Sequence, residues 1–176
     1  DEPAVPDVIL IRNQYPDAAA LHRVLDYACR SGMIGGYAVD PVYAFREFML
    51  VKRAYQNIDG RQLLHFIVSF STTVAYRLSA DDMLALGYDI CHLFSGHQIV
   101  YALHMDSAHC HLHFVVNSVS FEDGKKHFSG FHDLFPVRDF LQECFPRSNV
   151  HIYQSFPDSD VNRFGCSDDD ELLRID

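Results

Sequence analysis

The chain has 176 residues, 48 % of them hydrophobic and 22 % charged, with a formal net charge of −10. That length suits one domain with a core large enough to fold without disulfide or metal staples. No apolar stretch approaches the roughly 18 residues of a membrane span, so composition excludes a membrane-spanning helix, a fibre and wholesale disorder. The acidity weighs against a nonspecific nucleic-acid binder. It is unevenly spread, because residues 157–176 hold seven acids and only two bases. The expected organisation is one domain over 1–156, followed by an acidic tail or the start of a further region at 157–176. The five cysteines are odd in number and form no CxxC pair, which reads as reduced thiols of a cytoplasm.

Val8–Ile11 is a short apolar run that predicts a first buried strand. Ala18, Leu21, Val24, Leu25 and Ala28 recur at helical spacing and predict a helix over 17–30, stopped by Ser31-Gly32. Residues 33–39, with Gly35-Gly36, read as a flexible loop. Asp40-Pro41 opens a second helix, 41–56, that buries Phe45, Phe48 and Met49. After the Asp59-Gly60 turn, Leu63–Phe70 reads as a strand. Ser79-Ala-Asp-Asp82 is a capping-box start for a helix ending by Gly96. Strands follow over 98–105 and 110–121, then a turn at Glu122-Asp123-Gly124, a helix over 133–144 and a short strand over 150–153. The tail after Pro157 reads as loop or disorder. The order predicts an α+β fold, a central antiparallel β-sheet flanked by helices.

Histidine is the anomaly. Of eleven, His104, His109, His111 and His113 fall within ten residues. On a strand, alternate side chains share a face, so His109, His111, His113 and Asn117 point one way. Cys110, Leu112, Phe114 and Val116 then form an apolar core face. Histidines at i and i+2 can converge on one ion, and His104, ending the preceding strand, can close the triangle from the neighbouring strand. Several neutral imidazoles with open positions describe a catalytic metal site. A single histidine on a strand is more often a packed residue; the repetition is what favours the metal.

Leu25-Asp26-Tyr27, Met49-Leu-Val-Lys52-Arg53, His65-Phe-Ile-Val-Ser69-Phe70, the run His104-Met-Asp106-Ser-Ala-His109-Cys-His111-Leu-His113-Phe-Val-Val-Asn117, and the following Ser-Val-Ser-Phe-Glu-Asp-Gly124-Lys-Lys126 together resemble the relaxase, or mobilisation nuclease, family of plasmids and conjugative elements. That family belongs to the endonucleases named for a histidine–hydrophobic–histidine motif. The resemblance spans roughly residues 8–145. It implies cutting and rejoining of single-stranded DNA at a transfer origin, in a bacterial cytoplasm, through a 5′-phosphotyrosyl intermediate. By the same resemblance Tyr27 matches the nucleophile, and His104, His111 and His113 match the ligands of a divalent cation. Mg²⁺ or Mn²⁺ is the implied working ion, although a nitrogen-rich site would hold Zn²⁺, Ni²⁺ or Co²⁺ more tightly. His109, His65 and Asp106 are candidates for orienting a ligand or touching phosphate. Lys52, Arg53, Arg61, Lys125 and Lys126 are candidate DNA contacts. Accessory DNA-binding proteins and a secretion coupling protein are implied partners.

Without the resemblance, Tyr27 stands little above Tyr37 or Tyr43, which lie near the Gly-rich segment. The chain also reads Arg30-Ser-Gly-Met-Ile where relatives often carry a lysine, and it lacks an acid between Ser71 and Asp81 where relatives commonly have one. Two other readings use the same residues. A rolling-circle replication initiator or single-strand transposase would place its tyrosine on a helix after the histidines, where only Tyr153 is found. A non-catalytic metal- or DNA-binding domain would be indifferent to loss of Tyr27.

Overall fold

Strand β5, Cys110–Asn117, divides its side chains between two cores, and the fold is built outward from that division. The computed structural model describes residues 6–71, 77–105, 110–155 and, for the backbone, 173–175. Leu112, Phe114 and Val116 face one side of the sheet, while His113 and Val115 face the other. β5 pairs antiparallel with β3, Leu63–Phe70, on one edge and with β4, Ile99–His104, on the other. β3 continues to β1, Pro6–Ile11, and β4 to the edge strand β2, Ile34–Tyr37.

The sheet order is β2-β4-β5-β3-β1-β6-β7, with β6 at Ile152–Ser155 and β7 at Leu173–Ile175. The α+β class is as the sequence predicts, but the sheet is not wholly antiparallel. β1 and β6 run parallel, which their separation by most of the chain permits.

Among the described residues, four helices cover the two faces. α1, Ala18–Cys29, and α2, Ala44–Ala54, bury Leu21, Val24, Leu25, Phe48 and Met49 against Ile67, Val100 and Val115. α3, Ala80–Cys91, and α4, Phe135–Cys144, bury Met83, Ile90, Val137 and Leu141 against the opposite face. There Phe66 and Phe114, directly paired across β3 and β5, stack with ring centroids 4.5 Å apart. Each large apolar side chain so buried contributes about 1.5–3 kcal/mol. The helix starts follow their caps. Asp17 accepts from Ala20 N at 2.8 Å, and Ser79 and Asp82 form the reciprocal capping box.

Three expectations are corrected. Residues 34–37 are a strand, not a loop: Gly35 lies opposite Tyr101, and a Cβ there would stand 2.2 Å from the Tyr101 ring, so glycine is what admits that ring against the sheet edge. The second helix is shorter, with a 3-10 turn over Pro41–Tyr43 preceding α2. Within the tail expected to be loop or disorder, residues 173–175 pair with β6; three residues are too few for periodicity to reveal. No described helix is long and apolar enough to cross a membrane. The described cysteines 29, 91, 110 and 144 are free thiols.

Candidate active site

The β4–β5 ladder sets His104 directly opposite His111, and Ala102 opposite His113. On the other edge, Ser69 faces His111 and Ile67 faces His113. Three histidines therefore gather on the α1 side where β4 ends and β5 begins. His113 and His104 are buried, and His111 is half-buried. The ring centroids of His104 and His113 are 4.3 Å apart, and those of His111 and His113 are 6.5 Å apart.

α1 delivers Tyr27 to this corner from its last turn. The half-buried Tyr27 ring has its centroid 5.6 Å from that of His104 and 5.7 Å from that of His113. One residue on, the carbonyl oxygen of Ala28 belongs to the last four of the helix, which have no partner within it. His104 Nε2 lies 2.9 Å from that oxygen. A carbonyl only accepts, so His104 donates from Nε2 and carries its lone pair on Nδ1.

Behind the triad lies His65, 2 % exposed, with its Nε2 at 3.2 Å from His113 Nδ1. Its other nitrogen, Nδ1, is 3.1 Å from the hydroxyl of buried Tyr15. Burial, then the charge of His104, pushes His65 down to about 3. Burial, reinforced by His65, His104 and His111, holds His113 well below the ordinary histidine range. Both are therefore neutral near pH 7 and can offer lone pairs. Among the described residues, no three His, Cys, Asp or Glu side chains already close on a common point as cation ligands. The donor chemistry nonetheless fits a divalent ion. His104 spends its second nitrogen on a carbonyl in the manner of metal-bound histidines. His111 stands farther from His113 than His104 does, at 6.5 Å against 4.3 Å between ring centroids.

The other tyrosines weighed as nucleophile, Tyr37, Tyr43 and Tyr153, lie elsewhere. Tyr37 packs its ring against Tyr88 and His92 of the α3 side, Tyr43 is exposed ahead of α2, and Tyr153 lies on β6 rather than a helix. His109 and Asp106 fall outside the described residues.

Two of the expected basic contacts, Lys52 and Lys126, are held away from the histidines. Lys52 and Lys126 lie towards the opposite end of β5, where Ser118 is about 17 Å along the strand from His113 at about 3.4 Å per residue. Lys52 is fully buried, its ammonium donating to Gln62 O at 2.8 Å and Ser118 Oγ at 2.9 Å. This corrects its expected role, because a buried ammonium with two internal acceptors is out of a phosphate's reach. Lys126 donates to the Asp59 carbonyl, Arg61 is half-buried, and Arg53 and Lys125 are exposed. Tyr15 escaped the sequence reading. It sits in the β1–α1 connection, where no periodicity marks a buried side chain.

The two-core sheet thus carries histidines on neighbouring strands and sets a tyrosine of the first helix beside them. A family model described as Relaxase: MobA/VirD2-like, nuclease domain matches residues 26–147, well over half the chain, and the protein belongs to that family. The match takes in Tyr27 and all three histidines of the corner. No curated protein and no solved structure gives a match.

Proposed function

We propose that this relaxase-family domain nicks and rejoins one strand of DNA at a transfer origin in conjugative mobilisation, with Tyr27 as nucleophile and a divalent cation at His104, His111 and His113. The observation that carries this reading is the Tyr27 ring packed beside both His104 and His113. The phenol oxygen attacks phosphorus and the bond to the 3′-oxygen breaks. The phenol loses a proton and the 3′-oxygen gains one, so the step is balanced without an added reactant. The DNA 5′-phosphate stays on Tyr27, which conserves the phosphodiester energy for rejoining that attack by water would dissipate.

A free phenol, with pKa about 10, is mostly protonated at neutral pH and attacks poorly unaided. When bound at His104, His111 and His113, a divalent cation such as Mg²⁺ or Mn²⁺ would supply positive charge that stabilises the transition state. His104 orients its Nδ1 lone pair by its bond to Ala28 O, and that bond ties the ligand to the helix carrying the nucleophile. Neutral imidazoles leave the ion's positive charge undiminished for a polyanionic substrate. The bacterial cytoplasm is the setting of this reading, and accessory DNA-binding proteins and a secretion coupling protein are its partners.

The test is incubation with Mn²⁺ and a pool of labelled single-stranded oligonucleotides with random cores, followed by denaturing electrophoresis. A denaturant-resistant protein–DNA adduct, lost with EDTA and in Tyr27→Phe, supports the reading. An adduct indifferent to EDTA overturns it.

A further inference from the structure

We propose that Tyr15 and His65 are positioning residues that hold His113 in the one tautomer able to present its Nε2 lone pair to the cation; this rests on the metal-dependent reading above. The three groups form a continuous buried chain. Tyr15 Oη is 3.1 Å from His65 Nδ1, and His65 Nε2 is 3.2 Å from His113 Nδ1. Both nitrogens of His65 are thus committed, and its ring lies between a phenol and a proposed ligand.

Such a chain can carry its protons in two directions. In one, Tyr15 donates to His65 Nδ1, His65 Nε2–H donates to His113 Nδ1, and the His113 proton sits on Nε2, where it blocks ligation. In the other, His113 Nδ1–H donates to His65 Nε2, His65 Nδ1–H donates to Tyr15 Oη, and His113 Nε2 carries a lone pair. Only the second serves a cation. It requires an acceptor at the far end of the chain, which is what the Tyr15 oxygen provides. A phenylalanine at that position would fill the same space and accept nothing.

The backbone supports a specific role for Tyr15. Its φ is 42°, in the left-handed region that bulky side chains rarely adopt, and its ring is 4 % exposed. Residues held in such conformations cluster at functional sites. Burial also raises the Tyr15 phenol well above its ordinary range, so it stays a neutral hydroxyl. Tyr15 and His65 are both neutral at pH 7, so they orient His113 without adding negative charge beside the ion.

The test is calorimetric Mn²⁺ binding by the wild-type protein, Tyr15→Phe, His65→Leu and His65→Gln, with nitrogen NMR of the histidine rings in the cation-free proteins and thermal melts to verify folding. Wild type should show His113 protonated on Nδ1. Tyr15→Phe and His65→Leu should weaken Mn²⁺ binding about tenfold or more, and Tyr15→Phe should move His113 towards the Nε2–H form. His65→Gln, whose amide oxygen can accept from His113 Nδ1–H, should restore most of the affinity. Binding in Tyr15→Phe within about twofold of wild type, with the His113 tautomer unchanged, overturns the inference. Should wild type take up no Mn²⁺ at all, the metal-dependent reading falls and this one with it. Should wild type bind Mn²⁺ and form the DNA adduct while Tyr15→Phe does both equally well, only the positioning role falls.

Discussion

His104 is joined to the helix that carries Tyr27: its Nε2 lies 2.9 Å from the carbonyl oxygen of Ala28, the next residue along, while the two rings stand 5.6 Å apart. One side chain thus satisfies an otherwise orphaned helix carbonyl and presents its other nitrogen at the candidate active site. His104→Ala should therefore do two things. Losing the buried hydrogen bond should cost about 1 kcal/mol of stability, and losing a ligand should weaken cation binding about tenfold or more. His111→Ala should likewise weaken cation binding about tenfold or more. Thermal melts and Mn²⁺ titrations of His104→Ala check this; an unchanged melting temperature would contradict the first effect and unchanged Mn²⁺ binding the second.

Lys52 yields a pH dependence remote from the histidines. Burial, with the charge of Lys126 adding to it, lowers its ammonium to about 7 in the folded protein, whereas an unfolded chain holds that proton up to about 10.4. Between those values the unfolded chain binds more protons, so stability rises with pH. Below about pH 7 both states are protonated and the full cost of the buried charge is felt. Lys52→Met removes this titration. From pH 7 to 9 the stability of wild type relative to Lys52→Met should grow by about 2–3 kcal/mol, read from urea unfolding midpoints at each pH. Curves that stay parallel would refute the assignment.

The edge strand β2 depends on Gly36. A Cβ at this position would lie 2.2 Å from the Val39 carbonyl oxygen and 2.9 Å from Pro41 Cδ, because the chain folds back tightly after the strand. Backbone cannot give way as a flexible side chain can. Gly36→Ala should destabilise by about 1–3 kcal/mol, seen as a lower urea midpoint. A midpoint indistinguishable from wild type would mean that the return loop adapts.

What the sequence revealed and what it hid follow from the range of the interactions. Leu63–Phe70 and the alternation of His111, Leu112, His113 and Phe114 were legible because a half-buried strand writes its pattern into consecutive residues. Ser79 and Asp82 announced α3 because capping is local. β2 was not legible, since its glycines answer to Tyr101 and Val39 rather than to their own propensity. Lys52 looked like a phosphate contact because a charged residue is rarely buried; only the fold shows Gln62 and Ser118 awaiting it. Tyr15 carries no sequence signal, for its partner His65 is fifty residues away. The histidines of the candidate site, His65 included, were thus readable residue by residue, but the buried Tyr15 hydroxyl beside His65 was not.

The central claim, that Tyr27 is the nucleophile, is most directly tested by mapping the covalent attachment. Trypsin releases Val24–Arg30, which contains Tyr27 as its one tyrosine, and Ser31–Arg46, which contains both Tyr37 and Tyr43. Mass spectrometry of the protein–DNA adduct, after nuclease trimming of the DNA, should find the phosphonucleotide on Val24–Arg30 and on no other peptide. A phosphonucleotide on Ser31–Arg46, or on the peptide holding Tyr153, would contradict the account and move the reacting group away from the histidine corner.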